Sequence, residues 1–538
     1  MTDVPSESTD PARSPADGVI RVDREEVFIE YTKSICPVCK TVLDAEVNIR
    51  DDKVFLRKRC PDHGPFEALV YSDATMYLDA LRFNKPGTYP LETQTEIVDG
   101  CPLDCGLCPD HKQHACVGLI EVNSECNLDC PICFADSGHQ PDGFSLTRDQ
   151  VQAGIDAFVA AEGEPEVLMF SGGEPTLHPE ILDFIAMAQG AGCKYIVLNT
   201  NGIKLAQNPA FVRELAALNC GIYLQFDGFA EETHRQIRGR DLRELKQRAL
   251  DNCAEAGLTV QLAAAIEKGL NDREMGEIVR FGIEHPAVKG VVFQPVTHAG
   301  RMIEYDPLDR MTNSDVIHGI AEQLPAWFRT DDFFPVPCCF PTCRSITYAL
   351  VDGPDVVPIP RLIDLGEHLD YVSNRVFPDI DVRAALERLW SASAQPGTET
   401  TSEQLACATC GIDLPLALRD LESKVFMIVI QDFQDPYTLN VKQLMKCCVE
   451  QITPDGRLIP FCAYNSVGYR EEVREQLSGA VIHDYVPNSL SLTNMLVDTV
   501  YGSKAHRDDE RASTPAPGDR EPGRHVGGNA TNIGRSRR

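Results

Sequence analysis

Residues 117–335 alternate short apolar runs with amphipathic stretches, and this alternation limits the fold more than any other feature of the chain. Six predicted strands cover residues 117–122, 167–170, 194–198, 221–226, 260–265 and 290–294. Predicted helices between them cover residues 148–162, 179–191, 209–218 and 242–257. Such alternation is typical of a parallel sheet with helices packed on it. We therefore expect an α/β fold whose polar site residues lie where the strands end.

Three cysteines follow the first predicted strand with the spacing C-x3-C-x2-C, namely Cys126, Cys130 and Cys133. Three thiolates can hold three irons of a 4Fe-4S cube and leave the fourth iron open. A zinc site or a ferredoxin-type ligand set is the alternative, because thiolates suit both. The glycine-rich turn Ser171 to Thr176 follows the second predicted strand, and this context favours the open cluster.

A second group of metal-binding residues lies near the N-terminus. Cys36 and Cys39 form a C-x2-C pair, and Cys60 and His63 form a C-x2-H pair after a β-rich segment. This spacing predicts one tetrahedral ion, either zinc or a rubredoxin-like mononuclear iron. Four protein ligands leave no open position, so we expect a structural role.

A third group copies the C-x3-C-x2-C spacing at Cys101, Cys105 and Cys108, and Cys116 adds a fourth thiol nearby. Four ligands imply a closed, auxiliary 4Fe-4S cluster. The alternative is that the first three thiols are themselves the open set. No predicted strand precedes them, however, and no glycine-rich turn follows at the proper distance.

The C-terminal half contains a fourth thiol-rich group, for which we predict a second auxiliary 4Fe-4S cluster. Its predicted ligands are Cys338, Cys343, Cys448 and Cys462. Cys339 and Cys447 are alternates for the same cluster. Cys407 and Cys410 form a further C-x2-C pair with no assigned partner, for which a supporting role and simple packing are both open.

The chain has 538 residues, of which 21 are cysteine, and no apolar run approaches the ~18 residues of a membrane span. Its first residues lack the basic and then apolar profile of a secretory signal. We therefore expect a cytoplasmic protein whose thiols serve metal or redox chemistry rather than disulfides. The lone cysteines Cys193, Cys220 and Cys253 are expected in the core.

The formal net charge is -31, which argues against nucleic acid as a partner because the protein repels a polyanion at long range. Lys53, Arg57, Lys58 and Arg59 form a local basic segment. One interpretation of this segment is a solvated strand face. The other is a patch for an anionic head group, which implies peripheral contact with a membrane.

The cysteine triad and the glycine-rich turn together resemble the radical S-adenosylmethionine (SAM) superfamily. The resemblance implies that Cys126, Cys130 and Cys133 ligate a 4Fe-4S cluster whose open iron binds SAM. It also implies contacts from the turn to the SAM amino group, and from later strand ends to the ribose and carboxylate. These implied SAM contacts are Gly172, Gly173, Glu174, Asn199, Asn201, Gln225 and Asp227, with Ile132 near the adenine. An ordinary Asn-Gly turn is the alternative role for Asn201.

By the same resemblance the fold is a partial (β/α)6 TIM-like radical SAM barrel with two additions, an N-terminal zinc-ribbon or rubredoxin-like module and a C-terminal auxiliary-cluster region. The expected order is a disordered tail (1–19), the β-rich metal-binding module (20–90), an auxiliary-cluster segment (91–116), the radical SAM core (117–335), the C-terminal auxiliary-cluster region (336–503) and a second disordered tail (504–538). A flavodoxin or ferredoxin reductant is implied, because cleavage of SAM needs a low cluster potential.

The segment CPLDCGLC, which runs directly into ECNLDCPICFA, and the late motif P-F-C-x-Y-N resemble one branch of this superfamily. The branch contains the tetraether lipid synthases and relatives described as 7,8-dihydro-6-hydroxymethylpterin methyltransferases. Glu450 departs from the histidine expected in that branch.

The resemblance implies a 5'-deoxyadenosyl radical that abstracts hydrogen from an unactivated carbon, most directly to join lipid alkyl chains by a C-C bond. Radical methylation of a pterin or another small heterocycle is the alternative function. A non-catalytic iron-sulfur electron-transfer protein is a third, less favoured because it needs neither an open iron nor the glycine-rich turn. Lipid coupling predicts a long apolar tunnel, whereas methylation predicts a compact polar pocket.

Overall fold

The computed structural model describes residues 25–138, 143–302, 305–336, 339–361 and 425–478. The tails predicted at residues 1–19 and 504–538 lie outside these ranges. The same is true of Cys338, Cys407 and Cys410, so their predicted roles stay predictions.

The N-terminal module is a four-stranded antiparallel sheet in which each strand pairs with the next along the chain. Its strands are β1 (Val27–Ile35), β2 (Val42–Arg50), β3 (Lys53–Cys60) and β4 (Gly64–Tyr71). Asp51 and Asp52 both have positive φ, 51° and 59°, as the tight turn of a two-residue hairpin requires. Helix α1 (Ala74–Leu81) follows and is capped by Asp73, whose side chain accepts from Met76 N.

The basic residues of β3 do not form one surface. The Lys58 side chain is buried, and its Nζ donates to Ser34 Oγ at 2.8 Å and to Pro436 O at 2.6 Å. Arg57 is paired with Glu26 and Glu67. Alternate residues of a strand point to opposite faces, so Lys58 cannot share a face with its basic neighbours. The predicted four-residue head-group patch is therefore not assembled.

Six parallel strands form the centre of a second, larger sheet. They are β5 (Val117–Glu121), β6 (Val167–Ser171), β7 (Tyr195–Thr200), β8 (Gly221–Gln225), β9 (Val260–Ile266) and β10 (Val288–Pro295). These bounds confirm the six predicted strands. The prediction was possible because continuous aliphatic runs are typical of parallel strands buried on both faces.

Helices connect these strands. They are α2 (Arg148–Glu162), α3 (Ile181–Gly190), α4 (Ile203–Gln207), α5 (Pro209–Ala217), α6 (Glu231–Arg238), α7 (Arg243–Ala256), α8 (Met275–Glu284) and α9 (Asn313–Gln323). Single 3-10 turns lie at Pro175–Leu177, Thr330–Asp332 and Ile359–Arg361. Helix α2 has the predicted bounds because Thr147 and Gln150 form a capping box at its start.

The C-terminal part of the chain returns to the same sheet at both of its ends. Strand β14 (Val425–Gln431) pairs in parallel with β10, and β15 (Val449–Ile452) pairs in parallel with β5. The flanking antiparallel strands are β11 (Phe334–Pro335), β12 (Arg344–Asp352), β13 (Asp355–Pro358) and β16 (Leu458–Pro460). The remaining described helices are α10 (Val441–Leu444), α11 (Phe461–Ser466) and α12 (Tyr469–Ser478). The expected boundary after residue 335 thus falls within one continuous sheet, whose open edges the returning strands cover.

Two apolar layers enclose the parallel strands. One layer, between strands and helices, includes Phe158, Phe170 and Phe184. As predicted, Cys193, Cys220 and Cys253 are buried in this layer, and burial raises the pKa of each thiol to about 12. Residues on the other strand face form the second layer, which includes Val117, Met169 and Val429. Among the described helices, none has the length and apolar character needed to cross a bilayer.

Candidate metal and cofactor sites

A cavity of about 1590 Å³, counting the space at its open mouth, lies at the carboxyl ends of the parallel strands. All three cysteines of the first triad line it, namely Cys126, Cys130 and Cys133. Gly173, Asn199, Asn201, Gln225 and Ile132 line it as well. The other predicted SAM contacts, Gly172, Glu174 and Asp227, are not among the described residues that line this cavity.

The loop that carries the triad is held by Arg301, which follows β10. Arg301 Nε donates to Cys130 O at 2.7 Å and Nη1 donates to Asp136 Oδ1 at 2.9 Å. The Arg301 backbone also exchanges two hydrogen bonds with the backbone of Cys133, at 2.8 and 2.9 Å. Gly300 has φ +65°, and a Cβ there would overlap the carbonyl oxygens of Cys133 and Phe134. The approach of the two loops therefore requires glycine.

The donor set of the triad fits an iron-sulfur cluster. Burial raises the pKa of Cys126 to about 12, and it raises the pKa of Cys130 against the opposing charge of Arg238. Thiols in such surroundings ionise only when a cation is bound to them, and iron supplies that charge. Three soft ligands from one loop facing a large cavity leave room for a further ligand on the cluster.

The glycine-rich turn supports the triad loop from the opposite side. Gly173 N donates to Asn123 O at 2.8 Å, and Glu174 N donates to Glu125 O at 2.8 Å. A Cβ at Gly173 would overlap Glu125 O, so the turn fits only as glycine. Gly173 thus packs against the start of the triad loop, and Gly300 packs against its end.

Glu174 lies behind the cavity wall rather than on it. Its side chain is almost fully buried and accepts from Thr176 Oγ1 at 2.6 Å, Thr200 Oγ1 at 2.7 Å and Asn201 N at 2.8 Å. These bonds join the carboxyl ends of β6 and β7. The residue predicted to contact the SAM amino group therefore has a positioning role in this arrangement.

Asp227 is also an internal acceptor. It forms a two-pronged ion pair with Arg238, with Nε to Oδ2 and Nη2 to Oδ1 both at 2.7 Å. Burial opposes its ionisation, but the charge and hydrogen bonds of Arg238 hold the pKa of Asp227 below its ordinary value. Arg238 lines the cavity and faces Cys130, so it is the residue of this pair that reaches the site.

Lys246 lies beneath the same pair. Its Nζ donates to Asn201 O at 2.7 Å, and burial lowers its pKa to about 7 against the attraction of Asp227. Arg238, Lys246 and Arg301 were all missed from the sequence. For Arg238 and Lys246 the sequence signal is a charged residue at a position that the helical pattern places toward the core. Arg301 lies in a loop and has no such signal.

The amides at the strand ends face the cavity. Asn199 Nδ2 donates to Ser171 Oγ at 3.3 Å and Gln294 Nε2 donates to Tyr223 OH at 2.8 Å. Gln225 Oε1 is buried and has no hydrogen-bond partner among the described residues. A buried carbonyl that is unpartnered is costly, which is consistent with a ligand donating to it.

The N-terminal ligand set converges as predicted. One ligand atom each from Cys36, Cys39, Cys60 and His63 lies within 4.8 Å of the others. Cys39 Sγ is 3.8 Å from Cys60 Sγ, and His63 Nδ1 is 3.5 Å from Cys60 Sγ. A tetrahedral zinc ion with its usual bond lengths separates such ligand atoms by about 3.5–3.8 Å. The residues therefore fit zinc without rearrangement.

Comparison with known proteins agrees with both sites. The family model for the radical SAM superfamily matches residues 120–282, and that for the HMPTM N-terminal zinc ribbon domain matches residues 28–72. A 7,8-dihydro-6-hydroxymethylpterin dimethyltransferase from Methanocaldococcus jannaschii is 32% identical over 485 residues, which cover 83% of this chain and 95% of that protein. The chain belongs to the radical SAM superfamily. It is therefore an enzyme, and its cofactors include a 4Fe-4S cluster and SAM.

Other relatives of this radical SAM enzyme match over shorter stretches. The AdoMet-dependent heme synthase of Oleidesulfovibrio alaskensis is 30% identical over 150 residues, 28% of this chain and 37% of that protein. The GTP 3',8-cyclase of Chlorobaculum tepidum is 32% identical over 180 residues, 33% of this chain and 53% of that protein. Among solved structures, SuiB of Streptococcus suis bound to SAM aligns over 40% of this chain and 48% of that chain, with TM-score 0.34 and 15% identity.

The radical SAM enzyme has a second, smaller cavity of about 300 Å³ lined by Cys101, Cys105 and Cys108. Cys116, the fourth predicted ligand, lies in an apolar cluster with Cys339 and Cys448. The structure therefore brings three of these four predicted ligands together around the cavity.

A third cavity of about 410 Å³ is lined entirely by residues that follow the six parallel strands in the chain. Five cysteines line it, namely Cys339, Cys343, Cys447, Cys448 and Cys462. Cys462 also lines the large cavity of the radical SAM enzyme, so these thiols adjoin it. Gln431 Nε2 donates to Cys343 Sγ at 3.2 Å.

Glu450 lies next to these thiols in sequence and is fully buried. Its carboxyl oxygens have no hydrogen-bond partner among the described residues, although His111 Nε2 approaches Oε1 to 3.6 Å. Burial raises the pKa of Glu450 well above its ordinary value, and the charge of Glu162 adds to this effect.

Proposed function

We propose that this radical SAM enzyme methylates a pterin or another small heterocycle in the cavity at the strand ends. Cys126, Cys130 and Cys133 are the proposed ligands of the SAM cluster, and Gly173, Asn199, Asn201 and Gln225 are the proposed wall of the SAM and substrate site. The proposal is supported by the similarity, over most of both chains, to a protein named 7,8-dihydro-6-hydroxymethylpterin dimethyltransferase.

The observation that carries the proposal is a set of polar side chains in a cavity whose wall is otherwise largely apolar. Beyond the SAM-cluster loop they include Gln225, Gln294, Arg344, Gln431, Gln434 and Asn465. Several of these groups already bond to other side chains, but Gln225 Oε1 and Gln434 Oε1 have no partner among the described residues. The donor groups of a heterocycle can satisfy such oxygens. A hydrocarbon chain cannot, and each buried group left unpaired costs about 1–3 kcal/mol.

An aromatic wall faces the same cavity and suits a flat ring. Phe461 lies 4.7 Å from Phe433 and 5.5 Å from Phe134 between ring centroids, and all three rings line the cavity. Aromatic rings stack on planar heterocycles and exclude water from them. Exclusion of water protects a reactive carbon centre from side reactions.

The cavity is open at its mouth and continues between the strands, where residues such as Leu119, Met169 and Val292 line it. The lipid-coupling function would need a long apolar tunnel. The unpaired oxygens of Gln225 and Gln434 argue against hydrocarbon at this wall, because an alkyl chain cannot donate a hydrogen bond to them.

Bound to the triad, a reduced 4Fe-4S cluster and SAM would supply the 5'-deoxyadenosyl radical that abstracts hydrogen from an unactivated carbon. The chain's own part is to hold the loop through Arg301 and Gly173, to orient the substrate through Gln225 and to exclude water. A flavodoxin or ferredoxin is the proposed reductant, and the cytoplasm is the proposed location.

Two auxiliary 4Fe-4S clusters are part of the proposal. Cys101, Cys105 and Cys108 are proposed to bind one of them, together with the predicted fourth ligand Cys116. The proposed ligands of the other are Cys338, Cys343, Cys448 and Cys462, with Cys339 and Cys447 as alternates. The C-terminal cluster would adjoin the substrate, because Cys462 lines both cavities.

The test is anaerobic reconstitution with iron, sulfide and zinc, followed by incubation with SAM, dithionite, 7,8-dihydro-6-hydroxymethylpterin and a source of the methyl carbon, either further SAM or a one-carbon carrier. We expect the pterin to stimulate 5'-deoxyadenosine release and to yield a methylated pterin by mass spectrometry. Gln225→Leu should lower kcat/KM for the pterin by about tenfold or more, since one hydrogen bond is lost. Stimulation by alkyl lipids, with no response to any pterin, would overturn the proposal.

A further inference from the structure

Residues 432–440, which follow β14, contact both the zinc-binding module and the loop that carries Arg301. We call these residues the junction segment. Asp435, at its centre, is fully buried, although neither it nor Lys58 is among the described residues that line the large cavity. The contacts of the junction segment connect two sites that are far apart in sequence.

Asp435 uses its two carboxylate oxygens for different purposes. Oδ1 accepts from the backbone N–H groups of Tyr437 at 2.8 Å and Thr438 at 3.0 Å, which fixes the turn of the junction segment itself. Oδ2 accepts from His298 N and from Tyr305 OH, both at 2.9 Å. One side chain therefore ties the junction segment to the loop after β10.

That loop is the one that holds the thiols of the SAM cluster. His298 lies three residues before Arg301, whose side chain and backbone bind Cys130 and Cys133. Gly300 allows no displacement toward the triad loop, because the two backbones are already in contact. Movement of His298 and Tyr305 would therefore displace Arg301 and, through it, the loop that carries the thiols.

The zinc-binding module holds the junction segment from the other side. Lys58 Nζ donates to Pro436 O at 2.6 Å and to Tyr437 O at 2.9 Å. Lys58 lies two residues before the zinc ligand Cys60 on β3. Thr32 Oγ1, on β1, donates to Asn440 Oδ1 at 2.6 Å. Aromatic rings fill the space between, with Tyr437 5.1 Å from His298 and 6.2 Å from Phe66 between centroids.

We propose that Lys58 and Asp435 are positioning residues for SAM binding, through which the zinc-binding module keeps the triad loop in its binding-competent arrangement. Lys58 satisfies the two carbonyls beside Asp435, and Asp435 fixes the loop of His298 and Arg301. Arg301 in turn holds the backbone of Cys130 and Cys133. Packed side chains and hydrogen bonds of this kind can couple distant sites when both share one element. The inference does not depend on which substrate the enzyme uses.

The test compares Lys58→Met with Lys53→Met in the reconstituted holoenzyme. Both substitutions replace one lysine amine of β3 with a thioether side chain, but Lys53 is exposed. The measurements are zinc and iron content, SAM affinity from the change in the EPR spectrum of the reduced cluster, and hydrogen exchange in residues 126–137 and 298–302. We expect Lys58→Met to retain zinc and iron, to bind SAM about fivefold or more weakly, and to exchange faster in both peptides.

A merely local role for Lys58 predicts a different pattern. Lys58→Met would then match Lys53→Met in SAM affinity and in exchange of both peptides, and that result would overturn the proposal. If Lys58→Met fails to fold or loses zinc, Tyr305→Phe decides the question, because it removes a single hydrogen bond to Asp435. Faster exchange in residues 126–137 and weaker SAM binding in Tyr305→Phe support the proposal, and parental values refute it.

Discussion

Two acidic residues at the carboxyl ends of the parallel strands are bonded to protein groups rather than exposed to the cavity. Glu174 and Asp227 both follow strands at the expected edge, yet the structure uses each as an internal acceptor. Their partners Asn201 and Arg238 are the residues that line the cavity. A buried carboxylate must be paired, and the nearest donors are protein groups rather than ligand.

The Asp227–Arg238 pair leads to a prediction about stability. Asp227→Asn leaves the buried Arg238 charge without its partner, so we expect the free energy of unfolding to fall by about 3–5 kcal/mol. Asp241→Asn is the matched control, because Asp241 also pairs with an arginine, Arg243, but at the surface. Thermal unfolding of both variants checks this, and an equal effect of the two substitutions would contradict it.

Lys246 leads to a prediction about pH. Its pKa falls from an ordinary value near 10.5 to about 7 in the folded protein, so the unfolded chain binds the extra proton between these values. Stability from this group therefore rises with pH across that window, by about 1.4 kcal/mol per pH unit. The melting temperature of the parent should rise relative to that of Lys246→Met between pH 7.5 and pH 9.5. A parallel pH dependence of the two proteins would contradict the burial of a neutral lysine.

Backbone contacts between loops, together with the Arg301 side chain, hold the triad loop in place. Gly300→Ala should displace the loop of Arg301, because its new Cβ would overlap two carbonyl oxygens. We expect less iron per chain after anaerobic purification and faster loss of iron in air. Gly353→Ala is the matched control, since Gly353 has a similar φ of +63° with nothing within 4 Å of the added Cβ. Equal iron retention in the two variants would argue against the role of the Gly300 contact.

Elements with short-range signals were predictable from the sequence, and elements formed by distant segments were not. The strands β5 to β10 and helix α2 follow from apolar periodicity and from the capping box at Thr147. Strands β14 and β15 join the same sheet from more than 100 residues away, and no local pattern specifies such pairing. The converging set Cys36, Cys39, Cys60 and His63 was predictable because metal geometry fixes the spacing of such ligands. Arg238, Lys246 and Arg301 have no such spacing, so their roles became visible only in the fold.

The molecule as a whole is organised around one sheet whose two ends are completed by the C-terminal part of the chain. Strand β14 covers the edge of β10, and β15 covers the edge of β5. The same part of the chain carries the thiols of the third cavity and the junction segment. Assembly of the SAM site therefore depends on residues well beyond the region matched by the radical SAM family model, 120–282.

A truncation tests this dependence. A chain that ends at residue 361 lacks β14 to β16 and leaves two parallel strands with open edges, which favours aggregation. We expect it to lose cooperative unfolding and to elute as aggregate in size-exclusion chromatography. A chain that ends at residue 503 lacks only the predicted tail and should unfold like the full chain. A folded monomer ending at residue 361 would show that the six parallel strands β5 to β10 are stable without β14 to β16.

The central claim is that the three thiols of residues 126–133 hold a cluster to which SAM binds directly. The most direct measurement is electron–nuclear double resonance on the anaerobically reduced protein with SAM labelled at its amino nitrogen and carboxylate oxygens. The account predicts coupling of both labels to a cluster in the parent and in Cys105→Ala, and loss of this coupling in Cys130→Ala. Absence of coupling in the parent, or its persistence in Cys130→Ala, would contradict the account.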